Sequence, residues 1–412
     1  MSITISAQHA THPWFSAKDD ELVVGGRKIS QIAAAVGRTP FYVYDKSVMT
    51  RKVEQLRAVL PKDIALNYAM KANPMPDVVK HMVPLTDGVD VASAQEMDVA
   101  ISAGAQPQHV SLAGPGKTES ELHRAAAAGI TVHVESEREI RILNQYAKTT
   151  DYQTHIAIRV NPDFELKASG MKMGGGPKQF GIDAERVPQV LRDLATTQLK
   201  FCGFHIYSGS QNLRPDSIVE AQTKTLNLAI ELAKHAPTPV THLNIGGGFG
   251  IPYFPGEQLL DLAPLKEHFQ SLVSQAQQSL PQAKLIIELG RYLVGEAGVY
   301  VCKVIDRKIS RGQVYLVTDG GLHHHLAATG NFGQVIRKNY PVLIANRILG
   351  NKREIASVVG PLCTPLDLLA DRMELAEAQE GDLVAVLQSG AYGFSASPLK
   401  FLSHPAPTEL IV

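Results

Sequence analysis

The stretch LNYAMKANPMPDVV (66–79) sets a lysine directly behind a short apolar run. The run IALNYA (64–69) has the length and apolar content of a buried strand, and the proline after Lys71-Ala72-Asn73 marks its end. Lys71 therefore ends a predicted strand. Such a lysine is most often a solvated charge leaving the core, but it can also bind phosphate or react through its amine. The rest of the sequence separates these three roles.

The same arrangement repeats from about residue 60 to residue 290. Short runs rich in β-branched residues alternate with segments whose apolar spacing suits amphipathic helices, at 119–129, 136–148, 217–236 and 263–280. Eight such alternations predict parallel strands and, most economically, a closed (β/α)8 barrel of the TIM type, with a doubly wound open sheet as the alternative. The predicted strands are 64–69, 89–93, 109–113, 131–134, 155–160, 201–207, 242–246 and 285–289.

Beyond about residue 296 the pattern changes to strand-like runs separated by turn residues, at 299–309, 313–321, 354–360 and 382–390. This predicts a separate β domain. The segment ELVVGGRKISQIAAAVGRTPFYVYD (21–45) precedes the barrel pattern and is expected to join that domain. We therefore predict an α/β protein with a barrel at 46–295 and a β-rich domain built from 1–45 and 296–412.

Composition excludes several classes of function. Lys plus Arg equals Asp plus Glu at 40 each, so no net charge attracts nucleic acid or an anionic membrane. With neither a signal-peptide pattern at the start nor an apolar run of about eighteen residues, we expect a cytoplasmic protein without a membrane segment. The three cysteines, Cys202, Cys302 and Cys363, are too few and too scattered for a disulfide framework or a zinc cluster.

Polar and glycine residues follow the predicted barrel strands, at the ends where such barrels carry out chemistry. A ring of this composition is hard to explain as packing. In strand order its members are Lys71, Asp90 with Ser93, Gly114, Glu135, Arg159 with Asn161, His205 with Tyr207 and Ser210, Gly246 to Gly248, and Glu288 with Arg291.

Three members of this ring together suggest a cofactor. Gly246 to Gly248 can direct backbone N–H groups at a phosphate, although a GGG stretch is as often a flexible turn, and it does not match the dinucleotide fingerprint. A lysine facing a phosphate site can form a Schiff base, and pyridoxal 5'-phosphate (PLP) combines a phosphate with an aldehyde. Glu288 could keep the ring nitrogen of PLP protonated, or could simply pair with Arg291.

Nine segments, in order, resemble those of the fold-type III PLP-dependent decarboxylases, the group of diaminopimelate, ornithine and arginine decarboxylases. The resemblance covers nearly the full length. The segments are YAMKAN (68–73), DVASAQE (90–96), RVNP (159–162), QFGI (179–182), GFHIYSGSQ (203–211), NIGGGFGIPY (244–253), ELGRYLVGEAG (288–298), GPLC (360–363) and SGAYG (389–393).

The resemblance implies removal of the Cα carboxylate of an amino-acid or aminoacyl substrate, through a Schiff base on Lys71 and a quinonoid carbanion. Cys363, delivered by the other subunit of a homodimer, or Lys71 itself would protonate that carbanion, and Glu96 would join the polar network around the lysine. Either His205 or Tyr207 would stack on the cofactor. The implied cofactor-binding residues are Lys71, Asp90, Arg159, His205, Tyr207, Ser210, Gly246, Gly247, Gly248, Glu288, Gly290, Arg291 and Tyr392, and the expected substrate contacts are Arg291, Asp319, His323, Asp367 and Tyr392.

Two departures from the family pattern bear on the substrate. CTPLD (363–367) has a threonine where the family has the glutamate that holds the distal ammonium of diaminopimelate, and the family's distal-carboxylate arginine is absent after Asp319-Gly320-Gly321, where LHHHLAATGNF (322–332) follows. The CTPLD motif resembles a biosynthetic-cluster subgroup that includes enzymes acting on carrier-bound aminoacyl groups. We expect no metal at His323 to His325, because adjacent histidines on an extended segment alternate faces.

Four other functions remain as alternatives. Diaminopimelate decarboxylation proper fits the overall resemblance but lacks the charged clamp. A PLP-dependent racemase shares the barrel, but racemases resembling alanine racemase place an arginine at the ring nitrogen, where this chain has Glu288. A non-catalytic PLP carrier would lack the β domain. A phosphate-binding barrel without PLP would leave Lys71 unexplained.

Overall fold

The computed structural model describes residues 2–3, 9–164, 171–172 and 174–412 of the chain. They form two compact units. The barrel unit comprises Val53–Gly250 and Leu260–Gly290, and the β unit comprises Met1–Lys52, Ile251–Leu259 and Arg291–Val412. Each unit is therefore assembled from segments that are distant in the sequence.

The barrel unit is built on eight parallel strands. They are β1 (Ile64–Ala69), β2 (Gly88–Val91), β3 (Val110–Leu112), β4 (Thr131–Val134), β5 (His155–Asn161), β6 (Lys200–Ile206), β7 (His242–Gly247) and β8 (Lys284–Leu289). Each strand pairs with the next in chain order, and β8 pairs with β1. The closed barrel predicted from the sequence is confirmed, and an open sheet is excluded.

Helices follow the strands as their apolar spacing predicts. Three of them begin with the same signature, a serine or threonine followed three residues later by glutamate: the side chains of Ser93, Thr118 and Ser136 each accept the N–H of that glutamate. No helix in the described part of the chain is both long and apolar enough to cross a membrane. The α-helices are Ile29–Val36, Lys46–Arg57, Pro76–Met82, Ala94–Ser102, Glu119–Ala127, Glu137–Thr149, Val187–Leu194, Pro215–Ala233, Leu265–Ser279 and Arg291–Val294.

The β unit contains an eight-stranded sheet, which includes one strand from the N-terminal part of the chain and several from the C-terminal part. Phe41–Tyr44 pairs with Gly298–Ser310 on one side and with Thr408–Ile411 on the other. The N-terminal segment therefore joins the C-terminal β domain, as predicted. The other strands of this sheet are Gln313–Thr318, Val342–Ile344, Arg353–Val359, Leu368–Ala376 and Leu383–Val386, and a second sheet consists of Ser2–Ile3, His12–Lys18, Glu21–Val24 and Arg27–Lys28.

Several strands of the β unit were not expected from the sequence. Leu368–Ala376 contains good helix formers, and its pairing with Arg353–Val359 is interrupted by register shifts. A bulge breaks the period-two alternation that identifies a strand. Val342–Ile344 and Thr408–Ile411 are too short to give a periodic signal, so tertiary pairing decides their conformation.

Candidate active site

The predicted site residues fall into both units. The barrel unit carries Lys71, Asp90, Arg159, His205, Tyr207, Ser210, Gly246, Gly247, Gly248, Glu288 and Gly290, and the β unit carries Arg291, Asp319, His323, Cys363, Asp367 and Tyr392.

Lys71 lies at the C-terminal end of the barrel strands, in a 3-10 turn (Met70–Ala72) that follows β1. Its side chain is exposed, and its Nζ lies 5.8 Å from the centre of the Tyr207 ring. Tyr207 is partly exposed, whereas His205, two residues earlier, is 1% exposed. Tyr207 therefore reaches the same open end of the barrel as Lys71, and His205 lies beneath it.

Glu288 is buried at the end of β8 among polar groups of the neighbouring strands. Its Oε2 accepts a hydrogen bond from Asn244 Nδ2 at 2.9 Å and lies 3.2 Å from His205 Nε2. Burial alone would raise the pKa of Glu288, but His205, together with the positive charges of Lys71 and Arg159, outweighs burial and lowers this pKa. The carboxylate is thus held ionised within the barrel.

Asp90 is a second buried acid, on β2. Its Oδ1 accepts hydrogen bonds from the Ser111 hydroxyl and from Asn67 Nδ2, and its Oδ2 has no hydrogen-bond partner among the described residues. Burial and the neighbouring Glu288 carboxylate raise the pKa of Asp90 to about 7. Two buried acids whose pKa values are driven apart are typical of a functional site.

Arg159, on β5, forms its ion pair with Glu135 and not with Asp90. The distance between Arg159 Nη1 and Glu135 Oε1 is 2.7 Å. The second oxygen of Glu135 accepts the N–H of Gly181 at 3.0 Å, so this ion pair also fixes the QFGI segment. Glu96, in the first turn of the helix Ala94–Ser102, fixes the chain before that helix, because its Oε2 accepts the N–H of Ala92 at 2.7 Å. These contacts give both residues supporting positions around the barrel mouth.

The glycine-rich loop after β7 is shaped by close backbone contacts. Gly246 and Gly248 adopt φ of 70° and 73°, in the left-handed region that favours glycine. A Cβ on Gly248 would lie 2.1 Å from the carbonyl oxygen of Gly209, beside Ser210. A side chain at Gly248 is therefore excluded, and one at Gly246 would be strained by its left-handed backbone. The N–H of Gly246 donates to Asn244 Oδ1 at 2.8 Å, and the other backbone N–H groups of such a loop suit an anion such as phosphate.

In the β unit, Arg291 is held between two tyrosines. Its guanidinium donates to the Tyr253 hydroxyl at 3.2 Å and lies 4.8 Å from the centre of the Tyr392 ring. Tyr392 adopts φ of 56°, a conformation that costs a non-glycine residue energy and that recurs at functional sites. Arg291 and Tyr392 are thus brought together, and Tyr253 is a neighbour that sequence reasoning did not single out.

Asp367 organises the loop that carries Cys363. Its two carboxylate oxygens accept the backbone N–H groups of Leu322 and Leu362 at 2.6 and 2.8 Å, and the residue is 3% exposed. The Cys363 thiol, in contrast, is exposed. Asp367, the acid of the CTPLD motif, therefore uses both carboxylate oxygens to bind backbone N–H groups, and these contacts fix the conformation of the loop.

The three adjacent histidines lie in a turn and not on an extended segment, contrary to our expectation. All are buried. His324 Nε2 lies 2.9 Å from the Pro405 carbonyl oxygen and His325 Nε2 lies 2.9 Å from Ser389 Oγ, so these two rings diverge.

Asp319 accepts hydrogen bonds from the Thr39 hydroxyl and the Lys303 N–H within the β unit. Contacts of His323 or Asp319 with substrate stay predictions.

Sequence reasoning missed two further histidines, His133 and His242, which lie in the barrel interior with His205. The signal was strand alternation: His133 lies two residues before Glu135, and His242 two before Asn244, on the inward faces of β4 and β7. The described part of the chain contains no group of three or more His, Cys, Asp or Glu side chains placed to hold a metal ion. These rings instead form a chain of direct contacts.

Comparisons with known proteins agree with this geometry. A model of the family "Pyridoxal-dependent decarboxylase, pyridoxal binding domain" matches residues 46–295. An "L-glutamyl-[BtrI acyl-carrier protein] decarboxylase" from Niallia circulans is 39% identical over 379 residues, covering 90% of this chain and 88% of that protein. A diaminopimelate decarboxylase from Aquifex aeolicus is 32% identical over 408 residues, covering 97% and 93%.

A solved structure supports the same fold. Diaminopimelate decarboxylase from M. jannaschii, in complex with L-lysine, superimposes with a TM-score of 0.88 at 23% identity, covering 97% of this chain and 93% of that one. The lysine at the end of β1, the buried acid on β8, the match of the family model and the two relatives lead to one conclusion: this chain is a PLP-dependent carboxy-lyase and belongs to the pyridoxal-dependent decarboxylases.

Proposed function

We propose that the enzyme removes the Cα carboxylate of an aminoacyl group carried by a carrier protein. One observation bears most of the weight: Asp367, the acid of the CTPLD motif, is occupied by the N–H groups of Leu322 and Leu362. With Thr364 in place of the family's glutamate, this loop offers no free carboxylate for a distal ammonium. A site built to bind a charge discriminates strongly, and losing that charge removes the discrimination.

The residues of the barrel fit PLP. The Oδ2 of Asp90 lacks a hydrogen-bond partner among the described residues. Side chains at Gly247 and Gly248 are excluded by the backbone of Glu288 and Gly209, so this loop presents bare backbone. When bound, PLP supplies an aldehyde for imine formation and a ring that accepts the electron pair left by CO₂. In our proposal the Lys71 amine would hold the cofactor, the Glu288 carboxylate would favour a protonated ring nitrogen, and the Tyr207 ring would stack on the cofactor.

We propose phosphate-binding residues in each unit taken by itself. In the barrel unit, the Ser210 hydroxyl and the backbone N–H groups of the 247–248 segment would bind phosphate oxygens. In the β unit, Arg291 and Tyr392 would offer a positive charge and a hydroxyl to a phosphate. The cation–π contact of Arg291 with Tyr392 holds the planar guanidinium in a fixed orientation. The left-handed conformation of Tyr392 is strain that such a role would explain.

The substrate is tested by measuring CO₂ release from the PLP-loaded protein. We expect turnover of a glutamyl or other aminoacyl group on a carrier protein, slower turnover of the same group on pantetheine, and little with free diaminopimelate, ornithine, lysine, arginine or glutamate. Thr364→Glu serves as a matched variant, because it returns a carboxylate to the loop and is expected to raise turnover of diaminopimelate. Turnover of free diaminopimelate by the unaltered enzyme at about 1–10 s⁻¹ would contradict the proposal and favour diaminopimelate decarboxylase proper.

We further propose that the enzyme works as a homodimer in which Cys363 protonates the product carbon in its partner's site. The exposed thiol supports this, as does Leu366, three residues further along the chain, which is 58% exposed. An exposed apolar residue in the same loop as an exposed thiol suits a surface that a second subunit covers. Lys71 would be the alternative proton donor.

Mixing two inactive variants tests the shared site. If Lys71 and Cys363 of one site come from different subunits, remixed Lys71→Ala and Cys363→Ala chains should regain about one quarter of wild-type activity, because half of the dimers then hold one intact site. Activity is measured as formation of the protonated product. Recovery no greater than the sum of the two separate variants would contradict a shared site, and each variant mixed with itself is the control.

A further inference from the structure

A chain of three imidazoles runs through the barrel interior from Glu288 to the opposite end of the strands. His205 Nε2 lies 3.2 Å from Glu288 Oε2, close enough for an ion pair but outside hydrogen-bond geometry in this conformation. The other nitrogen, His205 Nδ1, lies 2.9 Å from His133 Nδ1, and His133 Nε2 lies 3.2 Å from His242 Nε2. His205 and His133 are buried, whereas His242 is partly exposed.

The far end of this chain meets a solvent-accessible cavity of about 520 Å³. His242 is the first residue of β7, and Thr131 and Lys284, the first residues of β4 and β8, also line the cavity. Exposed residues such as Asp87 and His109 lie on its wall, so the cavity is open to water. It therefore lies at the N-terminal ends of the strands, and Lys71 lies at their C-terminal ends.

The two hydrogen bonds between the rings have one consistent direction when all three rings are neutral. Burial lowers the pKa values of His205 and His133, and it lowers that of His242 to about 4. With Glu288 ionised, His205 carries its proton on Nε2 and accepts at Nδ1 from His133. His133 in turn accepts at Nε2 from His242, whose Nδ1 then carries no proton; His242 is also a residue of the cavity wall.

We propose that His242, His133 and His205 form a proton relay between the cavity water and Glu288. The inference rests on the proposed function in one respect, that Glu288 faces the ring nitrogen of the cofactor. A water molecule gives a proton to His242 Nδ1. The Nε2–H proton of His242 then passes to His133 Nε2, and the Nδ1–H proton of His133 passes to His205 Nδ1. Once the His205 ring turns to align with Oε2, its Nε2–H proton passes to the Glu288 carboxylate. A hydroxide ion stays in the cavity, the three rings exchange tautomers, and the reverse path restores them.

The relay gives Glu288 a supply of protons that does not pass through the mouth of the barrel. A substrate bound beside Lys71 and Tyr207 would close the mouth to water, and the opposite end would still be open. The interior of such a barrel is ordinarily filled by branched apolar side chains, so three imidazoles in series call for a reason beyond packing. Because His133 uses its two nitrogens toward two different rings, the group does not converge on a metal ion.

The relay is tested first by NMR on ligand-free protein labelled with ¹⁵N-histidine. We expect scalar couplings between nitrogens across both N–H···N hydrogen bonds, with protons on His205 Nε2, His133 Nδ1 and His242 Nε2. Absence of both couplings, or a doubly protonated His133 at pH 7, would overturn the inference. This measurement does not depend on cofactor binding.

The second test measures exchange with D₂O of the ring N–H of ¹⁵N-labelled PLP, fixed on the protein by borohydride. His242→Gln keeps a donor toward His133 but cannot pass a proton on, and His133→Phe breaks the chain at its centre. We expect both variants to slow exchange by about tenfold or more, since one interrupted hydrogen bond of ordinary strength corresponds to such a factor. His268→Gln, at a histidine that contacts Gln222 outside the chain, is the control and should exchange as the wild type does.

Each outcome decides one question. Wild-type exchange in His242→Gln, with the cofactor in place, would overturn the relay and leave the proposed function intact. A wild-type protein that shows the imidazole couplings but binds no PLP would refute the proposed function. It would also refute the relay as proposed, because Glu288 would then have no ring nitrogen to which it could pass a proton. A purely structural role for His242 predicts that the glutamine variant behaves as the wild type, so the two roles give opposite results.

Discussion

Replacing Lys71 by alanine is expected to abolish covalent attachment of PLP and to lower CO₂ release by on the order of 10³-fold or more, the loss typical of removing a covalent catalyst. Lys71 is exposed at the end of β1, so the change should cost little folding stability. The measurement is borohydride reduction followed by peptide mapping. In the wild type, a single pyridoxyl group should lie on residue 71.

The matched control is Lys80→Ala, which removes another exposed lysine, from the helix Pro76–Met82. It should keep the adduct and the activity. If Lys71→Ala still formed a yellow, borohydride-reducible adduct and released CO₂ at the wild-type rate, the assignment of Lys71 would be wrong. An exposed lysine is usually a solvated charge, so this result also distinguishes the covalent role from the ordinary one.

Acid should unfold this protein at a pH well above the ordinary pKa values of its carboxyl groups, because many of its histidines are buried. Burial lowers the pKa of His12 to about 4 and that of His325 to about 3, and both residues are at most 1% exposed. An unfolded histidine has a pKa of about 6.5, so below that pH unfolding takes up protons and the free energy of unfolding falls. Each such histidine accounts for roughly 3 kcal/mol or more by pH 4.

Several groups acting together should therefore exceed the stability of an ordinary domain, about 5–15 kcal/mol. Asp90 opposes the trend, because its pKa is raised to about 7 in the folded state and is about 3.9 in the unfolded chain. Between these two pH values only the folded state holds the proton, so Asp90 adds to the free energy of unfolding as the pH falls. Unfolding releases one proton from Asp90, whereas it takes up one proton at each of the several buried histidines. The net free energy of unfolding should decline steadily from pH 6.5 toward pH 4.

Urea unfolding at pH 8.0, 6.5, 5.5 and 5.0 measures this dependence. His12→Phe, which replaces a ring stacked on Phe15 at 4.6 Å, should remove about one proton from the uptake and flatten the curve. His109→Gln, at an exposed histidine, should leave the curve unchanged. Equal stability of the wild type at pH 8.0 and pH 5.0 would show that the buried histidines titrate normally.

The barrel itself could be predicted because its signal is local. Strands such as β1 and β8 read as continuous apolar runs, since helices cover one face of a parallel strand and the barrel interior the other, and the helices between them keep a 3.6-residue period. In the β unit, Leu368–Ala376 and Thr408–Ile411 gave no such signal. Their conformation comes from pairing with strands far away in the sequence, which no local pattern contains.

The amino-acid sequence alone determined the eight-stranded barrel, Lys71 at the end of its first strand, the family of the enzyme and the absence of the family's glutamate at Thr364. Tertiary structure decided which side chains meet. It placed Tyr207 at the open end and His205 beneath it, committed Asp367 to backbone groups, and joined His133, His205 and His242 in one chain. The physical reason is that strand alternation fixes the face on which a side chain lies, whereas barrel closure fixes the neighbours that it meets there.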